Sequence, residues 1–326
     1  MRILFVVIVL SLVWGCKSNQ KEQPQDNEQK DLYFLWSVDW HPAKNQFVVG
    51  GMQDSLRLFS SKDFQVIKNY PYKGTITKTK WHPSKNILAV SVQDGKSNST
   101  ILNFDTNTSI QIDSISKEGA RAIGWNHSGE LLAVGDYEGF LTIFDETGKM
   151  LKKVDTKEKS LIGLDWHPTK NQIVTVGENV ILYDYESDDL EIIKDREEKV
   201  EVLMLCVAWH PSGKFFVTGD YGDFQQPYPP LLQYWTQDGQ RIKSIDISKA
   251  EYRNLQWSPD GNTLATASEK IRLWNKDGEL IAEDAAENLL WGIDWKSDGS
   301  QIVATDEKGN IIFWDQTLNK LKELRH

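Results

Sequence analysis

Beyond residue 35 the chain alternates between apolar and polar positions. Apolar side chains stand two apart in Val38-Asp39-Trp40, form a nearly unbroken run at residues 47–51, and alternate again through Leu56-Arg57-Leu58-Phe59. A weaker segment follows at Gln65-Val66-Ile67. Alternation with period two marks a strand buried on one face, and a short unbroken apolar run marks one buried on both. The pattern predicts four successive strands, a to d. The same order returns in Ala122-Ile123-Gly124-Trp125, residues 131–135, Leu141-Thr142-Ile143-Phe144 and residues 150–154.

Strand a ends in a tryptophan each time, at positions 40, 81, 125, 166, 209, 257 and 295, with spacings of 41, 44, 41, 43, 48 and 38 residues. A period of about 40 to 45 residues predicts the blades of a propeller, because one four-stranded unit cannot bury its own faces. The expected fold is therefore all-β, with seven blades, strand a innermost and strand d on the outer rim.

Strand c of each repeat ends in an aromatic residue, in Trp314-Asp315, Phe104-Asp105, Phe144-Asp145, Tyr183-Asp184, Trp274-Asn275, Trp235-Thr236 and Phe59-Ser60. This resembles the Trp-Asp signature of the WD40 repeat family, and the resemblance covers nearly all of residues 32–326. It implies a seven-bladed β-propeller of WD40 type, a binding role, and partners met on the face that carries the b-to-c and d-to-a connections, here termed the top. No Gly-His pair precedes strand a, so the family's buried Asp-His-Ser-Trp network is not carried over.

Four tryptophans are followed by His-Pro, at 41–42, 82–83, 167–168 and 210–211. The triplet falls in the a-to-b turn, where proline presets φ and ends the ladder. Metal and acid-base sites need ligands that converge within a few ångströms, whereas these histidines are spread around a ring. They are expected to be structural. The acids of the b-to-c turns (Asp54, Asp94, Asp136, Glu178, Asp220, Glu269, Asp306) recur once per blade and are expected to accept turn N–H groups.

One residue before each key tryptophan stand Asp39, Lys80, Gly124, Asp165, Ala208, Gln256 and Asp294, facing the channel. A solvated ring of salt bridges is the expectation for these charges, with a bound cation as the alternative. Four residues before each tryptophan stand Trp36, Thr77, Arg121, Ile162, Leu205, Arg253 and Trp291, at the top entrance. Trp and Arg dominate binding energy at many interfaces. Trp36, Arg121, Arg253 and Trp291 are therefore candidate partner-binding residues, although the two indoles share strand parity with the core and could instead pack between blades.

From the strand-a tryptophan to the strand-c aromatic the distances are 19, 23, 19, 17, 26, 17 and 19 residues. The additions fall in the b-to-c connections, as a Gly- and Ser-containing stretch at residues 93–99 and a Tyr-, Phe- and Pro-rich one at residues 220–230. Tyr221, Phe224 and Tyr228, stiffened by three prolines, suit a contact surface that loses little entropy on binding. Sealing a blade edge is the other use for such a loop.

The first sixteen residues, MRILFVVIVLSLVWGC, have the shape of a secretory leader whose apolar run is too short to span a bilayer. Their end resembles a prolipoprotein lipobox, which implies acylation at Cys16 and a bacterial cell-envelope location, in the periplasm, at the outer membrane or at the cell surface. Residues 17–31 are polar and predicted to form a disordered tether. With Cys16 acylated, Cys206 is alone and no internal disulfide is available. The formal charge of -10 argues against nucleic acid, which demands a dense cationic surface.

No phosphate loop, cysteine pair, histidine cluster or nucleophile elbow is present in the sequence, so neither an enzyme nor a cofactor is expected. The expected function is a membrane-anchored scaffold that binds a partner protein or peptide, with small-ligand or glycan binding in the propeller mouth as the alternative. Ring closure has two candidates: residues 320–324 as strand d of blade 7, or Leu32-Tyr33-Phe34 in their place.

Overall fold

The computed structural model describes residues 33–52, 55–93, 99–113, 115–194, 202–223 and 228–325. The leader with Cys16, the tether at 17–31, Asp54, Asp94 and Phe224 lie outside the described residues. Those described form seven four-stranded antiparallel sheets, each built from four strands consecutive in the chain. Blade 1 comprises Leu35–Trp40, Gln46–Gly51, Ser55–Ser60 and Val66–Pro71, and blade 7 comprises Leu290–Trp295, Gln301–Asp306, Ile311–Asp315 and Lys320–Leu324. The fold is the predicted seven-bladed β-propeller.

Burial follows position within the blade. Strand b is buried almost throughout, as in Ile302, Val303 and Ala304, because a blade packs on each of its faces. Strand d is largely exposed, as in Val66 and Ile67 or Leu280 and Ile281. The core lies between blades. Leu35, Val38, Trp40, Phe47 and Phe59 of blade 1 form one apolar cluster with Val303, Ile311 and Phe313 of blade 7.

Lys320–Leu324 pairs with Ile311–Asp315, so the C-terminal segment supplies the outer strand of blade 7. Phe34 instead extends blade 1, where its carbonyl accepts the Met52 amide at 3.0 Å. Closure rests on side-chain packing, the Thr305 hydroxyl donating to the Leu35 carbonyl at 2.8 Å, and the Trp40 amide donating to Asp294 at 2.7 Å.

The Trp-His-Pro histidines act as joints. In blade 5, His210 Nδ1 accepts the Ser212 amide at 3.1 Å and lies 2.7 Å from the Ser212 hydroxyl. An Nδ1 that accepts an amide is unprotonated, which places the proton on Nε2, 2.8 Å from the Gly261 carbonyl of blade 6. The ring also meets Trp257 of blade 6 edge-on at 4.7 Å. His167 repeats this arrangement with Thr169, Gly213 and Trp209. Gly213 has φ +69, and a Cβ there would lie 2.4 Å from His167 Nε2. Burial, the leading cause, lowers the pKa of His41, His82, His167 and His210 from the ordinary value and keeps the rings neutral.

Candidate functional site

The top mouth of the channel is built by a repeated irregularity. In blade 1, Leu35 pairs with Gly51 and Ser37 with Gly50, so Trp36 has no partner and forms a β-bulge. Thr77, Arg121 and Leu205 are skipped in the same way in blades 2, 3 and 5. Blade 7 shifts register between Leu290 and Ile293, across Trp291. A bulge adds one residue and re-aims a side chain. The core position therefore passes to the preceding residue, and Leu35, Ile76, Ala120, Leu161, Met204, Tyr252 and Leu290 are all fully buried there. The seven residues after them line one cleft at the mouth.

Simple parity puts Trp36 and Trp291 between the blades, and the bulge overrides that reading. Their rings lie 4.6 Å apart at the seam between blades 1 and 7. The Arg253 guanidinium sits 4.0 Å from the centre of the Trp291 ring, and that of Arg121 lies 5.4 Å from Trp36. Arg253 is also ion-paired with Glu251 and lies 5.7 Å from the Tyr221 ring. Four sequence-predicted residues thus meet in one place. Tyr221 joins them through Arg253.

The blade 5 connection carries an ordered pair, the Asp223 amide donating to the Tyr228 carbonyl at 2.8 Å. Asp220 at its base accepts the Gly222 and Leu231 amides, as expected for a turn acid. Tyr221 is exposed and Tyr228 half-buried. Asp136 and Asp306 cap their own turns similarly. Glu178 and Glu269 depart from this pattern: Glu178 pairs with Lys159, and Glu269 with Arg272 and the Ser248 hydroxyl. The longer glutamate arm reaches neighbouring side chains instead of its own turn.

Comparisons with known proteins fit this geometry. The family model described as Eukaryotic translation initiation factor eIF2A matches residues 28–182, and that described as WD domain, G-beta repeat matches residues 199–224. The seven-bladed propeller thus carries a segment that matches a WD40 repeat. It is similar to the Periodic tryptophan protein 2 homolog of Caenorhabditis elegans, 22% identical over 85% of this chain and 30% of that protein. Echinoderm microtubule-associated protein-like 2 of Rattus norvegicus is 27% identical over 46% of this chain and 24% of its own length. Meiotic fizzy-related protein 1 of Schizosaccharomyces pombe is 21% identical over 90% of this chain and 70% of its own. The chain thus spans less than a third of the first two relatives.

The channel of this propeller holds the expected salt bridge between Lys80 and Asp39, but its carboxylates also bond across the blades. Asp294, Asp39 and Asp165 accept the amides of Trp40, Trp81 and Trp209 in the next blades at 2.7, 2.6 and 2.7 Å. They are clips between blades. Lys80 lies 3.9 Å from Asp39. Burial pushes Asp39 up to about 7, against Lys80 and with help from Asp294, and pushes Asp165 up to about 6. Burial and then Lys80 bring Lys78 down to about 8. Cys206, buried and pushed up to about 12 chiefly by that burial, is an unreactive thiol. Among the described residues, no group of three or more His, Cys, Asp or Glu side chains is placed to hold a metal ion.

Proposed function

We propose that this propeller is a scaffold that receives a partner protein or peptide on its top face and is held at a membrane of a bacterial cell envelope by lipid on Cys16. WD40 propellers in general serve protein interaction. The observation that carries the reading is the meeting of Trp36, Trp291, Arg121 and Arg253 at one mouth, beside the exposed Tyr221. Paired aromatics and guanidinium groups supply contact area and charge together, the combination found at interface hot spots. The relatives named above are eukaryotic, so the anchor rests on the leader residues alone.

A photo-reactive amino acid at Tyr221 on the top, and another at the bottom-face residue Ser297, tests the surface. The expected result is one adduct of fixed mass from Tyr221 and none from Ser297. No adduct from Tyr221, or equal yields from both, counts against the reading. The anchor has its own test in Cys16→Ser, which should leave the protein soluble or unprocessed, because each buried acyl CH₂ contributes about 0.8 kcal/mol to holding it. A variant that still sediments with membranes refutes acylation.

A further inference from the structure

The mouth has an excess of hydrogen-bond donors. Lys78, Arg121 and Arg253 all line it, yet among the described residues only Arg253 has a carboxylate partner, Glu251. Lys78 donates to the neutral amide oxygen of Asn254 at 2.9 Å. Among the described residues Arg121 makes no side-chain hydrogen bond or ion pair, and its contact is the face of Trp36. Burial, the leading cause, lowers its pKa from the ordinary value, though a guanidinium remains a cation. Arg121 is half-buried, and among the described residues three buried atoms of mouth residues lack a partner: Trp36 Nε1, Trp291 Nε1 and Arg253 Nε. All three are donors.

Polar groups shielded from water are nearly always satisfied, and at this mouth those without a partner, Arg121 included, are all donors, which describes the ligand that would satisfy them. The missing group only accepts, carries negative charge and is small, since the cleft has a free volume of about 40 Å³. Phosphate and carboxylate both accept only. The planar carboxylate matches one unpaired guanidinium fork and leaves the narrow cleft less crowded than a tetrahedral dianion does. We propose that the top mouth recognises the carboxylate of an acidic side chain presented by a partner peptide, seated on Arg121. This rests on the scaffold reading above. The chain's net charge of -10 repels such a segment elsewhere and leaves the mouth as the attractive point.

The test supplies the carboxylate in two ways. Ile162 lines the mouth in blade 4, beside the blade of Arg121, and Ile162→Glu places a carboxylate there in cis. In the full-length protein, Ile162→Glu should melt higher than Ile162→Gln, and Arg121→Gln should erase that difference. In trans, the probe is a fluorescein-labelled Gly-Glu-Gly-Glu-Gly peptide, with glutamine and phosphoserine counterparts. By anisotropy the glutamate peptide should bind the wild type at least about ten-fold more tightly than the glutamine one, a difference of about 1.4 kcal/mol. Ile162→Glu and Arg121→Gln should each remove the preference.

Any of three results overturns the assignment: no preference for glutamate over glutamine, phosphoserine binding at least about ten-fold more tightly than glutamate, or Ile162→Glu melting no higher than Ile162→Gln. Cross-linking through Tyr221 that keeps its wild-type yield in Arg121→Gln also overturns it, while leaving the scaffold reading in place.

Discussion

His210→Ala removes one joint between blades 5 and 6, and its effect can be added up from the contacts. The ring accepts the Ser212 amide, faces the Gly261 carbonyl at 2.8 Å, and packs between Phe215 at 4.3 Å and Trp257 at 4.7 Å. Two hydrogen bonds of about 0.5 to 1.5 kcal/mol each, with an aromatic contact of similar size, give a loss of about 2 to 4 kcal/mol. Urea denaturation at about pH 8 measures it. The same variant has a pH signature. A histidine with a depressed folded pKa contributes stability that is present above the unfolded value and lost as pH falls through the folded one. The gap between wild type and His210→Ala should therefore shrink from about pH 8 to about pH 5. A gap under about 1 kcal/mol at the higher pH, or one independent of pH, refutes the joint.

Three further outcomes are expected. Trp125→Ala, which vacates a buried site and leaves the Lys80 carbonyl without its indole donor at 3.2 Å, should lose about 3 to 5 kcal/mol in the same denaturation assay. Deleting residues 319–326 removes strand d of blade 7 and uncovers Trp314, so calorimetry should show a sharply lower melting temperature; an unchanged melt contradicts the pairing of Lys320–Leu324. Asp39 has a raised folded pKa, about 7, and so contributes stability that is complete below the ordinary carboxylate range and lost as pH rises through that value. Asp39→Asn should therefore gain on the wild type in melts between about pH 5 and about pH 8, and a difference that does not move with pH counts against a buried channel carboxylate.

Much of the architecture was legible because it rests on repetition. Seven tryptophans at near-constant spacing define the blades, and alternation between them locates the strands, since both follow from the two-residue pleat and the size of a blade. The turn role of Trp-His-Pro was also readable, while the reach of His210 into blade 6 was not, because contact between repeats leaves no local pattern. His41 likewise rests on Trp81 of the next blade, at 4.5 Å.

The mouth residues were found by counting, yet the orientation of the two indoles was left open. Parity carried through strand a sends Trp36 to the face of Val38 and Trp40, and a single unpaired residue reverses it. A signal was present. Five residues before every key tryptophan the side chain is apolar, from Leu35 to Leu290, whereas four before it the types are mixed. That contrast marks the core position one residue upstream of where alternation puts it. The channel carboxylates were read only in part: Asp39 pairs with Lys80 as expected, while the bonds from these carboxylates to amides of the next blade leave no mark in sequence.

Each blade from Leu35 to Leu324 is one uninterrupted stretch of chain, with no strand lent across the seam. The genetic unit and the mechanical unit therefore coincide. Cutting any d-to-a connection and splicing the present ends gives a rotated copy of the same wheel, in which a different pair of blades meets without a covalent link. A series of such rotated genes measures how strong each joint is when it alone must hold the ring shut.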